Sequence, residues 1–401
     1  MKVFYLISIF SLFSIHVQAY EFPYETLDGS YKDTTIPIEI SPSTPIKAQD
    51  GIGLCYGFSA TSLLESYRCR ELKLNCDDPK EFLSSLDVTS YYERKSLKEG
   101  GDTYRIFSNI ENSKRKIAKE ECVQFSALVH QMVDYKNIMQ KDEKRGWIFL
   151  VKKWNEYRGI GKDVRRNDCV ACLADEIKKN LPNVQTPIDQ LKDAFTSSHS
   201  MEEFLYKSLL PAQCMEENKM ASIPEFKSKS YPGYNEKADA NAVAKKVESL
   251  LLSSIPVEIS ICTQKDFTDK CSAQSAHSIA LFGIKQVCSS RKNDCRTMVK
   301  VKNSYGNTWQ LQNNNGWVNL KSLADSSFLL TQNNNISWIE KPGFILIEKS
   351  LSKKSVTSLM STVNSRAGGG IPDEYKNYYG IWKCPGTKYV DQYEPGCIPL
   401  K

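Results

Sequence analysis

One cysteine stands where a polar, glycine-bearing loop runs into an apolar helix, in the stretch Pro45-Ile46-Lys47-Ala48-Gln49-Asp50-Gly51-Ile52-Gly53-Leu54-Cys55-Tyr56-Gly57-Phe58-Ser59-Ala60. Beyond Cys55, the apolar residues Tyr56, Ala60, Leu63, Leu64 and Tyr67 recur at helical spacing, so a helix is predicted with Cys55 in its first turn. Unpaired backbone N–H groups and the positive end of the helix dipole favour a thiolate there. Gly51 and Gly53 let the backbone approach a substrate closely. Gln49, upstream of Cys55, offers a side-chain amide donor to whatever the sulfur attacks. A nucleophile beside a preorganised oxyanion donor is the apparatus of acyl transfer.

Two more positions complete a catalytic set. His277 opens an apolar strand after a polar loop, a position that presents an imidazole to a cleft. Asn303 follows the next strand, in Val301-Lys302-Asn303-Ser304-Tyr305-Gly306-Asn307-Thr308-Trp309. An asparagine there accepts a hydrogen bond from the imidazole and fixes its orientation, the triad logic of a base held by a third group.

The elements that must hold these groups follow the chain. Tyr20 to Thr44, with three prolines, reads as extended chain wrapping a domain. The cysteine helix runs to about Arg70, a second helical stretch starts near Pro79, and Gly100-Gly101 makes a bend without side chains. From Phe125 to Met220 the chain is rich in Lys, Glu, Asp and Leu, with Cys172, Leu173, Ile177, Leu181, Leu191 and Phe195 at helical spacing, and reads as a helical insertion. His130 and His199, in or beside it, have no clustered partners and read as surface or packing residues. Strand alternation begins at Ile255 with Val257, Ile259 and Ile261, and four further strands are expected at His277–Ile284, Thr297–Lys302, Gly316–Leu320 and Phe344–Ile347. Helices lead and antiparallel strands follow, an α+β arrangement of two subdomains.

Bulk composition narrows the setting. The 401 residues carry 53 basic against 47 acidic side chains, and the charges are interspersed, so no nucleic-acid partner is implied. Residues 1–19 read as a signal peptide: Lys2, an apolar run from Val3 to Ile15, then Val17-Gln18-Ala19 as a cleavage site. No later stretch is apolar enough for a stable membrane insertion, which gives an exported protein, secreted or periplasmic. In that setting 13 cysteines read as a disulfide framework with Cys55 as the odd thiol. Sequence neighbours suggest the pairs 69–76, 262–271, 288–295 and 384–397, leaving Cys122, Cys169, Cys172 and Cys214 unassigned. Cys169-Val170-Ala171-Cys172 lacks a second pair or a nearby His for zinc, and two structural half-cystines are the favoured reading. No cofactor or metal is expected. Residues 351–370, rich in Ser, Lys and Thr and ending in three glycines, read as a linker to a tail, 371–401, with Cys384 and Cys397. The lone sequon Asn335-Ile336-Ser337 decides nothing by itself.

Taken together, these motifs resemble those of the papain-like cysteine peptidases. Gln49, the loop, Cys55 and Phe58-Ser59-Ala60 are similar to that family's catalytic loop and helix. Ala276-His277-Ser278 is similar to its histidine strand, Ile255 to Ile259 to the strand before it, and Asn303-Ser304-Tyr305-Gly306 with Trp309 to its asparagine motif. Gly100-Gly101 resembles the paired glycines that hold a peptide backbone. The resemblance spans roughly residues 30–125 and 245–350. It implies a helical left subdomain and an antiparallel, β-barrel-like right subdomain within 20–350, with residues 125–220 inserted. It also implies roles: Cys55 as nucleophile, His277 as base and then acid, Asn303 orienting His277, and Gln49 with the Cys55 N–H holding the oxyanion. Gly100, Gly101 and Trp309 would serve the substrate, Trp309 and Tyr305 by shielding the His–Asn contact.

Departures from the family pattern are visible. Ile52 stands where a disulfide cysteine is usual, and its partner is also missing near Lys98, so the disulfide set is rerouted. Tyr56, Leu54, Ala276 and Tyr305 replace the customary neighbours of the catalytic groups. Cys55 and His277 lie 222 residues apart, against about 130–150 in the family, and the insertion absorbs the excess. No long pro-segment fits between Ala19 and Pro45, so the insertion or the tail is a candidate for that restraint. The expectation is an exported endopeptidase acting on protein or peptide substrates through a thioester acyl-enzyme. The alternatives are a catalytically silent papain-like binding protein and another Cys-His-Asn acyl transferase of transglutaminase or amidase type. Oligomeric state is not legible.

Overall fold

In the computed structural model of the chain, the described residues are 27–346, less 28, 50, 126–127, 129–144, 160–165, 234–235, 265–270, 272–274, 290, 292 and 331–334, together with 382–383, 389–390 and 398–399. The segments expected to be signal peptide and linker, and His130, Cys384 and Cys397, lie outside them.

Helix α1 (Cys55–Leu72) was expected to bury one apolar face. Instead every residue from Tyr56 to Cys69 is buried, including Glu65 and Arg68. A helix buried all round must satisfy its polar side chains internally. Ser66 donates to Pro42 O at 2.7 Å, and Arg68 pairs with Glu81 at 2.8 Å. Glu65 accepts from Thr44 Oγ1, Lys47 Nζ and the Leu83 N–H at 2.6–2.8 Å. The helix ends where Lys73 turns left-handed (φ 55°), and the Cys69–Cys76 disulfide staples its exit. Two shorter helices, α2 (Ser85–Ser90) and α3 (Thr103–Glu111), pack against it.

The expected insertion is helical: α4 (Arg145–Gly159), α5 (Arg166–Asn180), α6 (Ile188–Ser197) and α7 (Met201–Leu209). Its own aromatic core stacks Trp154 on Phe204, with centroids 5.2 Å apart, and brings Phe195 to 4.6 Å from Phe204. Two devices close its base. Strand β3 (Lys116–Ala118) pairs antiparallel with β4 (Met220–Ser222), and Cys122 bonds Cys214. The unassigned cysteines thus divide: Cys169 and Cys172 on α5 are free thiols, contrary to the half-cystine reading. One helix carries both, and Cys172 is exposed. His199 is exposed beside α7, as expected.

The strands form an open antiparallel sheet in the order β5 (Lys227–Tyr231), β10 (Ile336–Glu340), β6 (Val257–Cys262), β7 (Ala276–Ser289), β8 (Asp294–Lys302), β9 (Trp317–Asn319). The expected barrel-like closure is absent from this path, whose ends are β5 and β9. The closing strand is Ile336–Glu340, with Ile336 and Trp338 buried; the expected one at Phe344–Ile347 is not a strand over its described residues 344–346, and Ile345 is 81% exposed. The N-terminal segment wraps as expected, through β1 (Tyr31–Asp33) and β2 (Ile38–Glu39), both paired with β7. Gly283 permits this, since a Cβ there would sit 2.6 Å from Ile38 O. Cys288 and Cys295 face each other across the β7–β8 hairpin and are bonded. Cys262–Cys271 is bonded too. Helix α8 (Ala240–Leu252) precedes β6, and α9 (Gly306–Gln312) and α10 (Leu320–Ser327) flank β9.

Residues 349–401 form a second unit with three short antiparallel strands, β11 (Trp382–Lys383) between β12 (Tyr389–Val390) and β13 (Ile398–Pro399). No helix among the described residues is long and apolar enough to cross a membrane.

The Cys122–Cys214 bond closes 92 residues of chain, a loop for which chain entropy gives about 4–5 kcal/mol. Replacing both cysteines with serine should lower unfolding stability by about that amount in guanidinium titration, while an unchanged midpoint would show that the insertion's base is held without it.

Candidate active site

Cys55 opens α1, behind Leu54, which caps the helix without a side-chain bond. Part of its surface stays open, but the sulfur is surrounded by protein. Desolvation therefore pushes the thiol up to about 11, and the charge of Glu258 adds to this. Backbone N–H groups of Ser278, Tyr56 and Cys55 itself oppose the shift without overcoming it. The expected first-turn thiolate is thus overturned for the resting site: burial outweighs the helix N–H groups. The same contacts place the sulfur at Ser278, one residue from His277.

His277 is 4% exposed at the head of β7. Its Nε2 lies 2.9 Å from Asn303 Oδ1, and the Tyr305 backbone N–H donates to that same oxygen at 3.3 Å. A backbone N–H can meet only an acceptor, so the amide is oriented with its oxygen toward both. Nε2 then carries the proton and Nδ1 keeps its lone pair. Tyr305 stacks on the imidazole, 4.5 Å between centroids and 16° between planes. Burial drives His277 down to about 4, against the smaller opposing effect of the Asn303 bond. With the thiol raised and the imidazole lowered, the pair rests neutral over the physiological range. With Nε2 protonated, Nδ1 is the ring nitrogen able to act as a base.

Gln49 is carried to the same place by backbone pairing. Its N–H donates to Ser304 O at 2.8 Å, and neighbouring Ala48 bridges to Tyr305. Its side chain is bound at both ends: Oε1 accepts from Ser304 Oγ, and Nε2 donates to Ile52 O at 2.9 Å. An amide nitrogen has two hydrogens, so one remains for another acceptor. The Gly100–Gly101 bend lies against the cysteine loop, with the Gly100 N–H 2.8 Å from Gly53 O and the Gly53 N–H 2.9 Å from Glu99 Oε1. Gly100 has φ +76°, and a Cβ at Gly101 would come within 2.5 Å of the Tyr56 ring. Tyr56 also donates to Lys98 O at 2.7 Å, tying α1 to this bend. Trp309 is half-buried one turn along α9, while Tyr305 is the ring laid on His277.

Sequence reasoning missed the groups that hold this set. Lys302 Nζ reaches Thr44 O and Oγ1 at 2.6 and 2.9 Å, and Thr44 Oγ1 donates to Glu65. Lys47 bonds the other Glu65 oxygen. This buried relay fastens the segment before Gln49 and the end of β8, next to Asn303, to α1. Its only sequence signal was the charged residue Glu65 inside an apolar helix. Asn303 Nδ2 has no partner among the described residues, and Asn303 lines a small cavity with Ser59, Ser62 and Lys302. The sequon at Asn335 is spoken for, since Asn335 is buried and donates to Ser327 O and Oγ at 3.0 and 2.8 Å.

No family model matches the chain, and no curated protein does. Among solved structures, the bromelain protease of Ananas comosus in complex with the E64 inhibitor aligns at 11% identity and TM-score 0.34, covering 74% of this chain and 93% of that one. A recombinant stem bromelain precursor aligns at 12% identity and TM-score 0.35, covering 80% and 76%. What the site can do therefore rests on its own geometry.

Nitrogen NMR of the imidazole checks that geometry. His277 should be neutral at pH 7, protonated on Nε2, and should take its second proton only near pH 4. Titration near the ordinary value of about 6.5 would contradict it.

Proposed function

We propose that the chain is an exported cysteine endopeptidase that cleaves peptide bonds through a thioester acyl-enzyme. The observation that carries the reading is the bond from His277 Nε2 to Asn303 Oδ1, 2.9 Å, on the strand whose Ser278 N–H meets the Cys55 sulfur. In this reading Nδ1 takes the thiol proton as Cys55 attacks the carbonyl carbon, then delivers it to the leaving amine. Water, deprotonated by the same nitrogen, releases the acid and restores the thiol. The free hydrogen of Gln49 Nε2 and the Cys55 N–H hold the oxyanion. Gly100 and Gly101, beside the cysteine loop, offer backbone to an extended peptide, and Trp309 with Tyr305 screens the His–Asn contact. The four observed disulfides support an oxidising compartment, in keeping with a cleaved segment 1–19. The α7 end of the insertion reaches the same side, since Leu97 N–H donates to Glu202 O at 3.0 Å, and it would border peptide access.

A second reading, a silent binding protein, draws on the neutral resting pair and on Gln49 being turned toward Ile52. Incubation with a peptide library separates the two. Hydrolysis is expected, abolished by Cys55→Ala and lowered about 10²- to 10⁴-fold in kcat/KM by His277→Ala. Intact peptides throughout, or amine crosslinking in place of cleavage, would overturn the proposal.

A further inference from the structure

Beneath the thiol lies a carboxyl group that the mechanism above does not use. Glu258, on β6, is 2% exposed. It alternates along β6 with Val257, Ile259 and Ile261, and the polar face of the strand meets neighbouring elements instead of solvent. Three hydroxyls donate to its carboxylate: Ser260 and Ser278 to Oε1, both at 2.8 Å, and Ser337 to Oε2 at 2.6 Å. The chain continues from Ser278 Oγ to Thr103 Oγ1 at 3.2 Å, and Thr103 donates to Tyr56 O at 3.1 Å. It ends in the first turn of α1, next to Cys55.

Counting hydrogens along that chain shows two states. A hydroxyl has one proton to give. With Glu258 ionised, Ser278 spends its proton on the carboxylate and Thr103 spends its own on Tyr56 O. The Ser278–Thr103 contact then has no hydrogen between its oxygens. With Glu258 protonated, the carboxyl O–H donates to Ser278, whose proton turns to Thr103, and the chain is continuous from Glu258 to Tyr56 O. We propose that Glu258 is a positioning residue of this site: by gaining and losing a proton it turns the Ser278 hydroxyl between the carboxylate and Thr103, and its charge beside Cys55 sets the ease with which the thiol gives up its own proton. Burial of the carboxyl, which raises it to about 7 despite the three hydroxyls, puts the change in a range the protein meets.

The surroundings leave few other groups to confuse the effect. Asp102, at the start of α3, raises Glu258 further; Cys55 faces it from α1, and His277 lies next along β7 from Ser278. From β10 the group that meets it is the Ser337 hydroxyl. Helices α8 and α10 also pack on β6, but Lys321 and Asp325 of α10 form an exposed pair, Lys245 of α8 is exposed, and Lys246 and Glu248 are half-buried. His277, held near 4, stays neutral throughout the window.

This inference rests on Cys55 being the reactive thiol of the proposed enzyme, and not on a peptide being its target. The test is therefore the rate of Cys55 alkylation by iodoacetamide, mapped by mass spectrometry from pH 5.5 to 9, with the peptide assay run in parallel. At pH 5.5, where the carboxyl is protonated, E258Q and the native protein should react within about twofold of each other. Above pH 8 the native rate should fall behind E258Q by about three- to tenfold, because only the native protein carries the charge. The native profile should bend near pH 7 and that of E258Q should not. Should E258Q fail to fold, Ser337→Ala removes one hydroxyl that stabilises the carboxylate and should move the bend to higher pH. Parallel profiles for E258Q and native protein, or an unmoved bend in Ser337→Ala, overturn the proposal. Absent peptide cleavage with diverging profiles would instead fault the choice of substrate.

Discussion

The first turn of α1 lies against the start of β7, where the Ser278 N–H meets the Cys55 sulfur. That contact joins the helical part of the fold to the sheet, and a helix buried on every side cannot shift to accommodate a poor fit. Glu65 secures the segment leading to Gln49, and Lys302 secures the end of β8 that leads to Asn303. These polar groups are buried together, so removing one partner strands another, a costlier loss than that of an exposed pair.

The same burial sets the chemistry. A dry cleft disfavours both a thiolate and an imidazolium, so Cys55 is driven up and His277 down. A lone helix N-terminus would have argued the reverse, and desolvation is the larger effect. Neutrality at rest does not idle the pair. In the proposed mechanism it would assign proton transfer to the moment of attack, when the oxyanion and its donors supply compensating interactions. Asn303 matters here chiefly through the tautomer: by accepting from Nε2 it leaves Nδ1 as the basic nitrogen.

How much of this the chain disclosed depended on how local each signal was. Cys55, His277 and Asn303 stood out because each sits at the junction of a loop with a periodic element, and the structure brings His277 and Asn303 into contact. The helices between 145 and 209 were legible from composition and spacing, and three short-range disulfides from proximity in sequence. What escaped notice was long-range. Cys122 and Cys214, 92 residues apart, meet beside the pairing of β3 with β4. Glu258 and Ser260 went unremarked, since alternation cannot tell water from a buried hydroxyl network. Ile345 looked like strand by hydrophobicity alone, while β10 was hidden in a stretch of asparagine and serine.

One measurement bears most directly on the coupling of Cys55 to His277: the alkylation rate of Cys55 at pH 7 in the native protein and in His277→Ala. With a base at Nδ1, the native thiol should react readily, and His277→Ala should slow it by about tenfold or more, because a thiol near 11 at rest then has no base to take its proton. Equal rates in the two proteins would mean that the imidazole does not act on the sulfur, and the site would lose its claim to catalysis.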